Sequence, residues 1–239
     1  MRYLGFSTGA LAFGDFRRAL DLVLHRDRQT AIELSALRVS ELPELVSGLG
    51  TLDLTQFKHV SVHAPSRFED WQESYIVVLL LGLPREWPIV VHPDAIHNPA
   101  PWRELGSRLV LENMDQRKQT GSTADEMAAC FEMCPQARFC LDLAHARQID
   151  PSMKEAVLML KRFSDRLVHL HVSSLDGRGK HVPLADADLA PYSRVMESVP
   201  ERVAVVIESI NPFMDRTVME QQIWIDREAQ RVEALFRAS

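Results

Sequence analysis

Seven short apolar runs in this chain each end in a side chain that can bind a metal ion or move a proton. Glu33 follows Ala31-Ile32, His63 follows Val60-Ser61-Val62, and His92 follows Ile89-Val90-Val91. Glu112 follows Leu109-Val110-Leu111, and Asp142 follows Phe139-Cys140-Leu141. His171 and Glu208 close the series, after Val168-His169-Leu170 and Val205-Val206-Ile207. A run that is apolar on both faces reads as a strand covered on both sides. One strand ending in an acid means little, but the recurrence of these residue types along one chain points to chemistry.

Glu112, Asp142, His171 and Glu208 supply three carboxylates and one imidazole from consecutive strands. That donor set suits Mn²⁺, Mg²⁺, Zn²⁺ or Fe²⁺. Without a cation the carboxylates would repel one another, and at least one would stay protonated. His63 and His92 add imidazoles beside Glu112, whose carboxylate could bridge two ions. Two ions roughly 3.5–4 Å apart would polarise a substrate and activate water. One or two divalent ions are therefore expected, held by His63, His92, Glu112, Asp142, His171 and Glu208.

Other residues are read around this set. His145 follows Asp142 in the loop that opens the next helix, and a catalytic role is expected for it alongside Glu112 and Glu208. His181 follows Gly177-Arg178-Gly179-Lys180 in a loop over the site. His181, Arg178 and Glu33 are expected to meet the substrate. Arg178 and Lys180 could bind a phosphate or be solvated, and Glu33 could instead pair with a charge inside the barrel mouth. His169 is read as structural, facing away from His171. His25, His59 and His97 are read as structural or surface residues.

The elements that must position these side chains follow from periodicity. Strands are expected at Tyr3–Ser7 and before each of the seven residues above, giving eight. Helices are expected from Phe16 to Leu24, Glu41 to Leu49 and Trp71 to Leu81, the last stopped by Gly82 and Pro84. Pro99 to Leu105 is Pro-rich and can hold only a short helix. Ser122-Thr123-Ala124-Asp125-Glu126 carries capping-box patterns before a helix to about Cys134. Asp150-Pro151 starts another helix, with Met153, Val157, Leu160 and Phe163 on its apolar face. Ser173 to Asp188 reads as a loop, Tyr192 to Val199 as a helix and Asp215 to Arg237 as a closing helix. Strand–helix alternation of this spacing predicts an α/β protein, a single (β/α)₈ barrel over residues 1–239. A doubly wound open sheet would not bring consecutive strand ends round one point. A closed barrel does, at its C-terminal mouth.

Length and composition agree. The 239 residues suffice for one barrel. No apolar run reaches the roughly 18 residues of a membrane span. The start, Met1-Arg2-Tyr3-Leu4-Gly5, lacks the apolar core of a signal peptide, and three cysteines, Cys130, Cys134 and Cys140, suggest reduced thiols. A cytoplasmic protein is expected. The net charge of -6 argues against a chain that lives on nucleic acid. In the tail, Ile223, Trp224 and Ile225 are expected to cover the barrel base or to meet another subunit.

At these residues the chain resembles the xylose isomerase-like TIM-barrel superfamily, which includes endonuclease IV and sugar phosphate isomerases and epimerases. Val62-His63-Ala64-Pro65, Val91-His92-Pro93, Leu111-Glu112-Asn113, Asp142-Leu143-Ala144-His145, His171-Val172-Ser173-Ser174, Lys180-His181 and Glu208-Ser209 are similar to endonuclease IV motifs, in the same order. The resemblance implies that Glu112 bridges ions, with His63 and His92 on one side and Asp142, His171 and Glu208 on the other. In the isomerases and epimerases it implies a single ion at the second set, with Glu112 and Glu208 moving a proton between adjacent carbons. The chain departs from endonuclease IV in having Gly179 two residues before His181, where that family has an acid. It also has Ser174 in place of an Asp and no set of basic and aromatic loop residues to hold a kinked duplex. A third ion beside His145 and His181 is therefore not expected, Asp176 being the one nearby acid that could reach in.

The expectation is a divalent-metal isomerase or epimerase acting on a small sugar, sugar phosphate or related polyol. The alternative is a two-metal phosphodiesterase or hydrolase resembling endonuclease IV, the only reading with a nucleic-acid partner. A non-catalytic metal-binding barrel stands third.

Overall fold

The structure, a computed structural model, describes residues 2–26 and 28–237. Its strands are β1 (Leu4–Ser7), β2 (Ala31–Ser35), β3 (His59–His63), β4 (Ile89–Val91), β5 (Leu109–Glu112), β6 (Arg138–Asp142) and β7 (Leu167–Val172). After a short antiparallel pair, β8 (Ser174–Leu175) and β9 (His181–Val182), comes β10 (Ala204–Ile207). The eight longer strands close into a barrel in the order β1-β10-β7-β6-β5-β4-β3-β2, every pair parallel. Parallel neighbours need a crossover between them, and the intervening helices form the outer layer.

Alternation along each strand divides the side chains between two environments. Outward residues such as Ile32, Leu34, Val62, Leu109, Leu111, Phe139, Leu141, Leu170 and Val205 are buried with the helices in one large core. Inside the barrel, Val90, Val110 and Cys140 form a separate small cluster. Much of the remaining interior is polar, with Glu33, Ser61 and His169 all at 0% exposure. His169 thus corrects its expected placement. The side-chain period of a strand is two, so His169 shares the inner face with His171, their ring centroids 5.5 Å apart.

Two short helices, Thr8–Ala12 and Leu143–Ile149, start directly at strand ends where the sequence reads as loop. The segment expected to be loop from Ser173 to Asp188 contains the β8–β9 hairpin, and the helix after it runs from Asp186 to Met196. Pro191 lies inside that helix, which is why the pattern reads as starting later. The closing helix spans Val218–Arg237. Ile225 and Trp224 are buried, Trp224 packing on Phe6 of β1 at 6.2 Å between rings, while Ile223 is exposed. All three cysteines are buried and unpaired. Among the described residues no helix is long and apolar enough to cross a membrane.

Candidate metal centre

The strand ends converge on Glu112. Its Oε2 lies 3.3 Å from His63 Nε2 and 3.3 Å from His92 Nε2. Its Oε1 lies 3.3 Å from His171 Nδ1 and 3.3 Å from His145 Nδ1. His171 Nδ1 is also 3.4 Å from Glu208 Oε2. Asp142 ends β6 and caps the helix that follows, its Oδ1 accepting the His145 backbone N–H at 2.7 Å. Asn113 ties the two strand ends together. Its amide donates to the Asp142 carbonyl at 3.0 Å, and its Oδ1 accepts the Asp142 N–H at 2.7 Å.

The hydrogen bonds around these groups test whether the residues fit a cation. His63 Nδ1 faces the Ala64 carbonyl at 2.8 Å and must donate to it. A neutral His63 ring then turns the lone pair of Nε2 toward Glu112. A lone pair facing a carboxylate is repulsive unless a cation lies between them or the ring takes a second proton. Glu112 Oε1, Asp142 Oδ2 and His171 Nδ1 are buried and lack hydrogen-bond partners. Leaving such groups unpaired costs about 1–3 kcal/mol each. Two sets, His63–His92–Glu112 and Glu112–Asp142–His171–Glu208, each present ligand atoms that lie within 4.8 Å of one another. Oxygen and imidazole donors in these proportions fit a hard-to-borderline dication.

Without a cation, protons stand in for it. Burial pushes the Glu112 carboxyl up, but His171, His145 and His63 around it win and hold it well below the usual range. Burial also opposes charge on His63, yet Glu112 and Glu33 raise it to about 9. His145, buried beside Asp142 and Glu112, is raised to about 10. Burial raises Glu208 to about 7 against the pull of His171, with Glu112 and Asp142 pushing the same way as burial. Burial and the charge of His145 press His181 down to about 3.

A cavity of about 240 Å³ opens above Glu112 and Glu208. His63, His92 and His181 line it, with Ser7, Ser35 and Ser66 and the apolar Phe13, Leu37 and Ile210. Three residues singled out from the sequence do not line this cavity. Glu33 is at 0% exposure and lines no part of this cavity, because its side chain lies inside the barrel behind His171. Arg178 is exposed at the hairpin tip and does not line it either. His145 is buried at the back of the site, its Nδ1 2.9 Å from the Asn113 carbonyl. His181 lines the cavity, with Ser173 Oγ 2.7 Å from its Nδ1.

Several acids lie near His145 and His181. Asp176 does not reach in; it accepts the backbone N–H groups of Arg178 and Lys180 and closes the hairpin. The acid that does approach is Asp142, which forms with His145 and His181 a further group of converging ligand atoms. Asp115, 3.8 Å from His145 Nε2, is paired with Arg117 at 2.5 Å. Gly179 has φ +73°, and a Cβ there would lie 2.6 Å from the Arg117 guanidinium. A guanidinium therefore occupies the space beside this position. The charged stretch Asp115-Gln116-Arg117-Lys118 lies just past β5, but nothing in it signals a contact with Gly179. Phe13 gave no signal either, since it enters the cavity from a left-handed turn at φ 49°.

No family model matches the sequence, and no curated protein matches it. Solved structures do match, three of them over 98% or more of their own length. Endonuclease IV from Thermus thermophilus aligns at 17% identity with a TM-score of 0.59, covering 99% of this chain and 100% of that one. A candidate sugar phosphate isomerase/epimerase from Anabaena variabilis aligns at 11% identity, TM-score 0.60, covering 98% and 99%. A probable 3-DHS dehydratase from Bacillus anthracis aligns at 12% identity, TM-score 0.56, covering 94% and 98%. At these identities the likeness carries the fold alone: the chain is a (β/α)₈ barrel.

Proposed function

We propose that this chain is a divalent-metal enzyme that isomerises or epimerises a small sugar or related polyol at the C-terminal mouth of its barrel. The observation that carries the reading is a pair of carboxylates, Glu112 and Glu208, that line one small cavity and converge with Asp142 and His171 on a candidate ion site. Without an ion Glu112 is held ionised and Glu208 is raised to about 7; a dication held by both would favour the ionised form of each, the form a base toward a substrate carbon needs. Asp142, His171, Glu208 and Glu112 would hold one ion, and His63, His92 and Glu112 a second. Bound there, a divalent ion acts as a Lewis acid on neighbouring substrate oxygens. Glu208 takes a proton from a substrate carbon and returns it to the adjacent carbon, while a hydroxyl proton moves between the two substrate oxygens. In an epimerisation one of the two carboxyls, Glu112 or Glu208, takes the proton and the other, entering the turnover protonated, delivers one to the opposite face. Ser7, Ser35, Ser66 and His181 offer hydrogen bonds to hydroxyl groups, and Phe13, Leu37 and Ile210 exclude water on the other walls.

The cavity is slightly below the roughly 300–1,000 Å³ usual for ligand sites, which suits a small substrate. Among the described residues neither Lys nor Arg lines it, Lys180 lying over the Phe13 ring at 5.7 Å in the adjoining pocket, so an unphosphorylated sugar or polyol fits this cavity better than a sugar phosphate. Two ions are expected and not three: Asp142, the acid that converges with His145 and His181, is already a ligand of the second set, and Asp115, the acid beside His145, is taken up by Arg117. A second reading, a two-metal phosphodiesterase, is favoured by one observation: His63 and His92 both face Glu112 Oε2, and an isomerase with one ion does not need them.

Solvent exchange separates the two. A ketose incubated with the metal-loaded protein in D₂O should acquire carbon-bound deuterium, and duplex DNA carrying an abasic site should remain intact. Nicking of that DNA by the wild type, lost in Glu208→Gln, would replace the isomerase reading with the phosphodiesterase one.

A further inference from the structure

Behind the metal centre the barrel interior holds a buried carboxylate that the proposed chemistry does not use. Glu33 projects inward from β2, and Ser61 is its register partner on β3. Ser61 Oγ donates to Glu33 Oε2 at 3.1 Å. His171 Nε2 lies 3.3 Å from the same oxygen, and His169 Nε2 lies 3.6 Å from it. Glu33, Ser61, His169 and His171 are all at 0% exposure. Burying a carboxylate this deeply costs several kcal/mol unless donors compensate it. A TIM-barrel interior is ordinarily filled by branched apolar side chains. An acid kept at this position therefore calls for a specific partner.

His171 is that partner, and its two nitrogens face different tasks. Nδ1 faces the cluster, 3.3 Å from Glu112 Oε1 and 3.4 Å from Glu208 Oε2, with no hydrogen bond of its own. Nε2 faces Glu33. A neutral imidazole carries one N–H, and whichever nitrogen holds it cannot bind a metal ion. We propose that Glu33 is the positioning residue of the metal centre: it accepts the Nε2–H of His171 and so fixes the tautomer and ring plane that turn the Nδ1 lone pair toward Glu112, Asp142 and Glu208. Ser61 fixes Glu33 in turn. This rests on the metal reading above and adds to it a residue that touches neither ion nor substrate. Outer carboxylates of this kind orient an imidazole ligand and raise its basicity, and their loss weakens metal affinity by about 10–100-fold.

Substitution tests the assignment with a built-in rescue. Glu33 Oε1 has no partner, so Glu33→Gln can keep an oxygen at the Oε2 position and turn its amide toward the unpartnered side. Affinity of the full-length protein for Mn²⁺ or Zn²⁺, measured by competition with a chromophoric chelator, should fall about 10–100-fold in Glu33→Ala. Glu33→Gln should recover most of that loss. A merely space-filling role would instead be satisfied by Glu33→Leu, which should bind metal as poorly as Glu33→Ala. Independently of any variant, ¹⁵N NMR of histidine-labelled, Zn²⁺-loaded wild type should find the His171 proton on Nε2. A folded Glu33→Ala protein that binds metal as tightly as the wild type, or a His171 proton on Nδ1, overturns the proposal while leaving the metal centre standing. A wild type that binds neither ion removes the metal reading, and this inference with it.

Discussion

Glu112→Gln should abolish metal binding at both positions while leaving the fold intact. Glu112 is the one residue shared by the two ligand sets, with Oε2 turned to His63 and His92 and Oε1 to His171. The amide keeps the shape but removes the charge, and it leaves one oxygen where two are needed. Its NH₂ would face imidazole nitrogens or a cation, and both arrangements differ from the carboxylate's. Metal content of the desalted variant should be near zero by elemental analysis. Turnover should fall by at least about 10²–10⁴-fold, the range for losing a positioned acid–base group. Circular dichroism and the melting temperature establish that the variant is folded. Unchanged metal content in folded Glu112→Gln protein would rule out the bridging assignment.

The metal-free protein should lose stability as pH rises from neutrality, and bound metal should reverse that trend. His63 is raised to about 9: burial opposes its charge, but Glu112 and Glu33 outweigh burial. His145 is raised to about 10 in the same way, with Asp142 and Glu112 outweighing burial. A group whose folded pKa lies above its unfolded value stabilises the fold fully below the unfolded value, near 6.5 for histidine. That contribution is lost as pH climbs through about 9 and then about 10. His59 and His181, lowered chiefly by burial to about 4 and about 3, act in the opposite direction but only below roughly pH 6.5. Above neutrality the raised histidines decide the sign. The loss should amount to a few kcal/mol, roughly 5–10 °C in melting temperature for a chain of this size. Metal binding displaces these protons, so affinity should tighten over the same window. Melting curves in EDTA and in excess Mn²⁺ between pH 6.5 and 10 provide the check, and a metal-free protein that grows more stable with pH would contradict the electrostatics described here.

The barrel and the convergence of these side chains at its mouth were legible because strand ends are local features. Each of Glu112, Asp142 and His171 closes an apolar run, and parallel closure then brings them together without further information. What the sequence hid was of two kinds. Local choices between helix and loop were lost where an element is very short, as at Leu143–Ile149, or interrupted, as by Pro191. Contacts between distant segments were lost altogether. Nothing in the residues around Gly179 announces that Arg117 fills the space there, and nothing around Glu33 tells whether it faces a substrate or the back of His171. His169 is a different case, since its inward direction follows from the strand period alone.

The central claim is that the barrel mouth holds two divalent ions bridged by Glu112. Anomalous scattering from crystals of the Mn²⁺-loaded protein tests it most directly. The account predicts two peaks per chain, one against His63, His92 and Glu112 and the other against Glu112, Asp142, His171 and Glu208. An absence of peaks at the mouth, or a third peak between His145 and His181, would contradict it.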